Sequence, residues 1–371
     1  MTVRSGAAWV LFLAVWLCAA PGAAAQATRT RNVVLVVSDG LRWQEVFNGA
    51  DGALLDREDG GVRDTASLRR EFRRDTPDAA RAALMPFFWS VIARQGQLYG
   101  NEKKGSVARV TNGFKFSYPG YSEMLTGRPD PRINSNSAGP NPNVTVFEWL
   151  DALPEYRGRV SAFGTWKEFD DIFNEARSGI PVRAGWELPF GDAARPEERL
   201  LDSLYSTTTR LWDDIAYDSF MQEAVLGYVR TRRPRVLFVG YGETDEWAHA
   251  RRYDQYLRSA RRVDQFVAQL WRAMQEIPQY RDSTTFILTV DHGRGGGRRD
   301  WTDHGRDVDG AENIWIAVLG PDTPPLGERT ETTQVTQSQI AATLAALLGR
   351  DYRQAVPNAA RPLAEVIAGK R

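Results

Sequence analysis

The sequence predicts an α/β fold in which helices cover both faces of a doubly wound, mostly parallel central sheet. Two observations favour this fold class. Short apolar runs with the β-branched content of buried strands recur along the chain, for example at residues 236–239 and 286–290. Segments with helical patterning separate these runs, and the connections are short. Because parallel strands need a crossover connection, usually a helix, this alternation indicates parallel pairing.

The predicted elements follow one another from residue 32 to residue 348. The predicted strands are residues 32–37, 159–163, 236–239, 286–290 and 314–319. The predicted helices are residues 84–93, 144–153, 213–230, 253–275 and 337–348, with a further helical stretch after Ser117. Since the alternation extends over most of the chain, residues 26–371 are expected to form a single domain. Surface insertions are expected at about residues 50–82 and 129–143, which are charged and rich in Pro, Asn and Ser, respectively.

The N-terminus is typical of a secretory signal peptide, predicted as residues 1–25. Arg4 supplies the basic region, an apolar stretch follows, and small residues precede Gln26. The only cysteine, Cys18, lies in this segment, so we expect an exported protein without disulfides, periplasmic or secreted. No stable membrane span is expected after cleavage, because the apolar run is short; an uncleaved anchor is the alternative.

Composition narrows the choice of partner. The 371 residues carry 47 basic and 47 acidic side chains, and the formal net charge is zero. The arginine-rich spots are short, so no nucleic-acid surface is expected. A small molecule is therefore the expected partner.

Histidine is scarce in this chain and is found beside aspartates that follow predicted strands. The chain has three histidines in all. Neutral imidazole and carboxylate together suit zinc and related divalent ions, so this pattern predicts a metal site. A single histidine beside a single aspartate is usually a surface histidine and a helix-capping aspartate. Here the combination recurs, and the repeated pattern favours metal binding. The residues concerned are Asp39, Asp245, His249, Asp291, His292 and His304.

Ser117 precedes a Pro-Gly turn and a helical stretch, so it is expected at or near a helix N-terminus. There the backbone N–H groups and the helix dipole favour an anion and a lowered hydroxyl pKa. The simpler alternative is that Ser117 only caps the helix, as serine often does. The residues themselves leave both interpretations open.

Taken together, these motifs resemble the alkaline phosphatase superfamily, and in pattern most closely its nucleotide pyrophosphatase/phosphodiesterase branch. The similarity extends from about residue 32 to residue 348. It implies an alkaline phosphatase-like catalytic domain that hydrolyses phosphate esters. The motifs that carry it are Asp39-Gly40, Ser117-Tyr118-Pro119 with Thr126-Gly127, Asp245 with His249, Asp291-His292-Gly293, and His304.

The resemblance also implies a set of roles. Two divalent metal ions would be bound, usually zinc, with manganese also compatible. Ser117 would attack phosphorus and form a phosphoseryl intermediate, which water then hydrolyses. Lys167 resembles in place a phosphate-binding lysine of some monoesterase relatives, with a surface lysine at a helix start as the alternative. Tyr121 lies beside the predicted site and is a second candidate for substrate contact. The implied ligands are Asp245, His249 and His304 for one metal, and Asp39, Asp291, His292 and Ser117 for the other.

The sequence departs from the family pattern at three positions. Gly120 replaces an Asn that is common in this branch and contacts a phosphoryl oxygen, and Phe169 replaces an arginine of monoesterase relatives. Serine replaces the usual threonine nucleophile at Ser117, a change the chemistry tolerates. A sulfatase is less favoured, because Tyr121 stands where its motif requires arginine. The same residues are also compatible with a phosphotransferase or with a non-catalytic metal-binding protein.

Overall fold

The computed structural model describes residues 28–367, together with Thr2. Apart from Thr2, the predicted signal peptide lies outside the described residues. Within the described range, no helix is both long enough and apolar enough to cross a membrane. The domain boundaries predicted from the sequence remain a prediction.

Ten strands are formed by the described residues. In chain order they are β1 (Asn32–Ser38), β2 (Gln97–Tyr99), β3 (Ala108–Arg109), β4 (Val160–Gly164), β5 (Val182–Ala184), β6 (Val236–Tyr241), β7 (Thr284–Thr289), β8 (Ile316–Leu319), β9 (Gly327–Glu328) and β10 (Val335–Thr336).

The α-helices of the described range vary in length from one turn to 24 residues. They are α1 (Trp43–Asn48), α2 (Thr65–Phe72), α3 (Pro77–Leu84), α4 (Ala93–Gln95), α5 (Ser117–Thr126), α6 (Val146–Ala152), α7 (Phe169–Phe173), α8 (Glu175–Ser178), α9 (Arg199–Thr207), α10 (Asp218–Arg232), α11 (Glu243–His249), α12 (Tyr253–Glu276) and α13 (Gln339–Leu347).

A central sheet organises the molecule. Its strand order is β5-β4-β6-β1-β7-β8-β2-β9, and β10 pairs separately with β3. Strands β5, β4, β6, β1 and β7 are all parallel, whereas β8 is antiparallel to both of its neighbours. This mostly parallel sheet, surrounded by helices, confirms the predicted fold class.

The central strands of the sheet are mostly apolar because of where they lie. Every residue of β1, β6 and β7 is buried. Helices pack against such strands on both faces, so alternation of polar and apolar residues is lost and continuous runs of Val, Ile, Leu and Phe appear. The strands predicted from these runs are therefore the strands observed, with small shifts at their ends.

The predicted helix over residues 84–93 is wrong in its details. Helix α3 ends at Leu84, and Pro86 prevents its continuation because proline lacks an N–H and restricts the preceding residue. The chain restarts as a π-helical turn, Phe88–Ile92, that leads into α4. The carboxylate of Asp264 on α12 accepts the backbone N–H groups of Phe87 and Phe88 at 2.9 and 2.7 Å.

The charged segment expected as a surface excursion carries secondary structure of its own. Helix α2 lies within it, α3 begins in it and extends to Leu84, and the side chains of Leu68 and Phe72 are buried. These few apolar positions anchor an otherwise charged segment to the core. In contrast, residues 129–143 contain no helix or strand, as expected for a long loop.

Candidate metal centre and active site

Three neighbouring strands bring the candidate ligands to one edge of the sheet. Strands β6 and β7 flank β1 in parallel register, so their carboxyl ends lie side by side. Asp39 follows β1 directly, Asp291 comes two residues after β7, and β6 leads through Gly242 into α11, which carries Asp245. The carboxyl edge of a parallel sheet is where ligands bind in such folds, and the acidic side chains meet there.

One group of potential ligands comprises Asp39, Asp291 and His292. One atom from each of these residues lies within 4.8 Å of the other two. His292 Nε2 is 3.4 Å from Asp39 Oδ1 and 3.3 Å from Asp291 Oδ2. Both carboxylate atoms are buried without a hydrogen-bond partner. Buried carboxylate oxygens are rarely left unpaired, so this group fits a bound cation.

A second group lies beside the first and comprises Asp245, His249 and His304. His249 Nε2 is 3.0 Å from His304 Nε2 and 3.1 Å from Asp245 Oδ2. His304 Nε2 is 3.8 Å from Asp245 Oδ1. His292 also belongs here by distance, because it forms a group with Asp245 and His304 in which the ligand atoms lie within 4.8 Å. The structure thus brings together every histidine and aspartate predicted as a metal ligand, with His292 between the two groups.

The protonation states of the histidines suit metal ligation. Burial lowers the pKa of His304 far below its ordinary value, and the neighbouring His292 lowers it further. Burial and His292 likewise lower the pKa of His249. Both rings are therefore neutral at physiological pH, and a neutral imidazole has a lone pair to give to a metal.

The pKa values of the buried neighbours Asp291 and His292 are both shifted strongly. Burial raises the pKa of Asp291, and the carboxylate of Asp39 raises it further. Burial alone would lower the pKa of His292, but the carboxylates of Asp291 and Asp39 outweigh it and raise that pKa. A divalent cation would relieve this crowding of carboxylates, which again fits the residues to a metal.

Arg294 is a buried cation at the site that the sequence analysis missed. Its side chain is 1% exposed, and its Nη2 contacts the carboxylate of Asp245. Gly40 makes room for it: the backbone there has a φ of +59°, and an added Cβ would lie 2.7 Å from Arg294 Nε. Only its position directly after Asp291-His292-Gly293 could have drawn attention to this arginine.

Ser117 is the first residue of α5, as predicted. Phe116 is the residue that precedes the helix, so Ser117 is not its cap. Proline at the third helical position lacks an N–H that would in any case have no helical partner, which favours a helix start here. The helix ends at Thr126, and Gly127, which follows it, has a left-handed φ of 76°. Ser117 Oγ lies 3.4 Å from His292 Nε2.

Tyr121 lies behind Asp39 rather than in the open site. Its side chain is 1% exposed, its hydroxyl donates to Asp39 Oδ2 at 3.0 Å, and its ring packs edge-on against Phe169. Thr244 donates from its hydroxyl to the backbone oxygen of Asp39 at 2.5 Å. We therefore assign Tyr121 to positioning Asp39 instead of the substrate contact expected from the sequence.

Two of the three departures from the family pattern, Gly120 and Phe169, have structural causes. Gly120 packs against the segment that follows strand β7: an added Cβ would lie 2.3 Å from the carbonyl oxygen of Asp291, so a larger residue does not fit. Phe169 is buried among Tyr121, Phe173 and Phe238 and contributes to the core. Neither position can supply a polar contact to a ligand.

A cavity of about 290 Å³ opens over the two ligand groups. Its wall includes Ser117 and Lys167, and Lys167 has a side chain that is 61% exposed and lies 3.8 Å from Glu168. Asn136, from the long loop, also lines the cavity and accepts the backbone N–H of Tyr118 at 3.0 Å. The full lining is Asp39, Ser117, Asn136, Ser137, Trp166, Lys167, Glu168, Asp214, Ile215, Asp245, Glu246, His249 and His304.

Comparison with solved structures supports the fold. A phosphonate monoester hydrolase from Silicibacter pomeroyi aligns with a TM-score of 0.54 at 15% identity, covering 92% of this chain and 77% of that one. A 2-O GAG sulfatase aligns with a TM-score of 0.54 at 13% identity, covering 92% and 75%. The TAB5 alkaline phosphatase, as a mutant with bound magnesium, aligns with a TM-score of 0.50 at 12% identity, covering 88% and 100%.

Comparison at the level of sequence identifies the family. No curated protein matched the chain. The family model described as type I phosphodiesterase / nucleotide pyrophosphatase matches residues 60–312, which is more than half of the chain. The resemblance drawn from the motifs is thereby confirmed. The chain belongs to the type I phosphodiesterase / nucleotide pyrophosphatase family, within the alkaline phosphatase superfamily of hydrolases that act on phosphate or sulfate esters.

Proposed function

We propose that this protein is a two-metal phosphoesterase that hydrolyses phosphate diesters or monoesters through a phosphoseryl intermediate on Ser117. The observation that carries the proposal is the position of Ser117. Its hydroxyl begins helix α5, opens into the cavity and lies 3.4 Å from His292, which stands between the two ligand groups. A hydroxyl at that position can attack a phosphorus atom held over the same groups.

The cofactors in this proposal are two divalent cations, most favourably zinc, with manganese also compatible. Mixed imidazole and carboxylate ligation suits zinc, and the unpaired buried oxygens of Asp39 and Asp291 support the fit. When bound, the metals would lower the pKa of coordinated oxygens and stabilise negative charge on the phosphoryl group. The proposed ligands are Asp245, His249 and His304 for one ion, and Asp39, Asp291, His292 and the Ser117 oxygen for the other.

The residues of the chain supply the remaining chemistry. Ser117 Oγ, after losing its proton, forms a bond to phosphorus while the bond from phosphorus to the alcohol oxygen breaks; that oxygen keeps the electron pair and takes a proton from water. A water molecule then loses a proton and attacks phosphorus, and the bond to Ser117 Oγ breaks with its electron pair left on Oγ, which releases phosphate or a phosphomonoester. The N-terminal end of α5 stabilises the negative charge that Ser117 carries at the start and end of this cycle.

Asn136 and Lys167 are the proposed contacts to phosphoryl oxygens. The side-chain oxygen of Asn136 already accepts a hydrogen bond from Tyr118, so its Nδ2 remains to donate into the cavity. Asn136 would thus do the work that the family assigns to an asparagine at the place of Gly120. Lys167 lines the same cavity and provides a mobile positive charge.

Phosphate esters are favoured over sulfate esters as substrates. A sulfatase motif requires an arginine where this chain has Tyr121, which is buried and bonded to Asp39. The site is also rich in histidine, whereas a calcium-dependent sulfatase site uses mainly carboxylates. Calcium prefers oxygen ligands, so three histidines favour zinc chemistry.

The test is a rate comparison of wild type, Ser117→Ala and Ser203→Ala after loading with zinc. Ser203 is an exposed serine on α9 and serves as the matched control. The substrates are p-nitrophenyl phosphate, a p-nitrophenyl phosphodiester and p-nitrophenyl sulfate. Zinc content is measured on each protein sample. We expect chelator-sensitive hydrolysis of a phosphate ester by wild type and by Ser203→Ala, and loss of turnover with retained zinc in Ser117→Ala.

Different results would point to different functions. Full activity of Ser117→Ala rules out the serine nucleophile, and turnover of the sulfate ester alone rules out a phosphoesterase. A zinc-loaded wild type that hydrolyses no ester favours a metal-binding protein. Phosphate found on an added alcohol instead of in solution favours a phosphotransferase.

A further inference from the structure

Arg294 is held in contact with a proposed metal ligand, Asp245. Its Nη1 donates to the carbonyl of Thr302, and its Nη2 both donates to the carbonyl of Asp245 at 3.3 Å and contacts the Asp245 carboxylate. Gly40 leaves space for both partners, because an added Cβ there would lie 2.7 Å from Arg294 Nε and 2.7 Å from Asp245 Oδ1. The buried guanidinium is therefore fixed against this carboxylate and has no room to move away from it.

The two ligand groups differ in the charge that surrounds them. The first group contains Asp39 and Asp291, and each of these carboxylates has a buried oxygen without a hydrogen-bond partner. The second group contains one carboxylate, that of Asp245, and this carboxylate contacts Arg294. Arg294 is also within electrostatic range of Asp39, but within residues 28–367 its ion pair is with Asp245. As ionised ligands, the first group offers two negative charges, whereas the single negative charge of the second group is cancelled by Arg294.

A fixed positive charge beside a ligand opposes the binding of a divalent cation. A guanidinium cannot give up its charge by releasing a proton when a metal binds, and charges inside a protein are screened only weakly. A partner of this kind can also raise metal affinity by orienting the ligand. However, Asp245 is already held by helix α11, and its Oδ2 lies 3.1 Å from His249. We therefore expect the charge of Arg294 to have the larger effect.

We propose that Arg294 makes the two metal sites unequal, so that the group around Asp39 binds zinc tightly and the group around Asp245 binds it weakly. This inference rests on the proposed two-metal phosphoesterase. The protein then holds one metal at low free zinc and gains the second metal, and with it the activity, as free zinc rises. Arg294 sets the zinc concentration at which this change occurs.

Zinc titration of the metal-free protein tests the inference. Binding is followed by competition with a chromophoric chelator, and hydrolysis of p-nitrophenyl phosphate and a p-nitrophenyl phosphodiester is measured in the same zinc-buffered solutions. Wild type should bind two zinc ions with dissociation constants that differ by at least about 10-fold, and the activity should follow the weaker step. Two variants identify the steps: Asp39→Asn should remove the tight one, and His249→Ala should remove the weak one.

Variants at Arg294 test the cause of the difference. Arg294→Met and Arg294→Gln both remove the charge, and the glutamine keeps an N–H donor. In both, the weak step should become at least about 10-fold tighter, and half-maximal activity should move to lower free zinc by the same factor. Arg294→Lys keeps the charge and should keep two separate steps. Arg299→Met removes an exposed arginine of the same loop and is the matched control, with the binding constants of wild type.

Several results would overturn the inference. Equal dissociation constants in wild type would do so, as would loss of the tight step in His249→Ala, and both tests hold even if neither neutral variant folds. A weak step that stays unchanged or weakens further in Arg294→Gln would show that Arg294 orients Asp245 instead of opposing the metal.

Failure of the underlying function gives a different result. If two zinc ions bind in unequal steps but no ester is hydrolysed, the phosphoesterase assignment fails while the order of binding stands. If wild type and the neutral variants each bind a single zinc ion, the two-metal assignment fails and the inference fails with it.

Discussion

Helix α5 contacts Asp291, two residues beyond strand β7, at Gly120, and we predict that this contact sets the distance between Ser117 and His292. Gly120 lies one turn after Ser117 on the helix, and the carbonyl of Asp291 packs directly against it. A Cβ added there would lie 2.3 Å from that oxygen, whereas real contacts of this kind are rarely shorter than 3.0–3.4 Å. In Gly120→Ala, the helix and the strand end must therefore separate by about 0.7–1.1 Å.

Gly120→Ala should lower both the stability of the protein and its rate of hydrolysis. Overpacking a buried contact costs about 1–3 kcal/mol of the free energy of unfolding. Because His292 is the next residue after Asp291, the displacement reaches the 3.4 Å spacing between its ring and Ser117 Oγ. A misplacement of about 1 Å among the groups that position a reaction can lower the rate by about 100-fold.

The assay compares Gly120→Ala with Gly52→Ala. At Gly52 an added Cβ meets nothing within 4 Å, and the backbone does not have a positive φ, so this variant controls for the change of glycine to alanine. Measurements of kcat/KM, the unfolding temperature and zinc content should show losses only in Gly120→Ala. A wild-type rate in that variant, even with lowered stability, would refute the idea that this contact sets the reacting distance.

Two further predictions concern charged side chains. Arg294→Met removes the buried cation that contacts Asp245, and leaving a buried carboxylate unpaired costs about 3–5 kcal/mol of the free energy of unfolding. In chelator, the unfolding temperature of this variant should therefore be lower than that of wild type, and zinc should partly restore it. Equal unfolding temperatures of variant and wild type in chelator would contradict this. Hydrogen bonds from Arg132 lower the pKa of Asp130 below 3.8, so the stability that Asp130 adds is present above that pH and is lost as the pH falls. Urea unfolding should therefore show a larger difference between wild type and Asp130→Asn at pH 6 than at pH 3, while equal differences would argue against the ion pair.

The fold could be predicted because its strands are buried on both faces. In β1, β6 and β7, continuous apolar runs end at acidic residues or lead into a glycine, and this pattern is directly visible in the sequence. The short strands at the edge of the sheet, such as β2 and β9, were not predicted, because three or two residues carry no periodic pattern. Their pairing depends on the tertiary structure, as does the bond from Asp264 to the start of the π-helical turn.

The candidate site could be predicted only in part, for a related reason. Aspartate and histidine after a strand form a recognisable pattern, so the candidate ligands could be selected by their order and spacing. Arg294 has the same residue type as the exposed Arg298 and Arg299 nearby, and only the fold reveals that it is buried. Tyr121 lies beside the site as expected, but its ring is buried against Phe169 and Phe238 and its hydroxyl is bonded to Asp39, which only the packing of α5 reveals.

The sequence alone could not show which ligands belong to which of the two proposed metals, and His292 is the reason. Its Nε2 is 3.3 Å from Asp291, 3.4 Å from Asp39 and 3.9 Å from Asp245, so by distance it belongs to both groups. A ligand within reach of both groups couples them, because moving its ring toward one group moves it away from the other. Ser117 is also 3.4 Å from this ring. The proposed nucleophile and both ligand groups therefore meet at one side chain, and the residue before it, Asp291, packs with its carbonyl against Gly120.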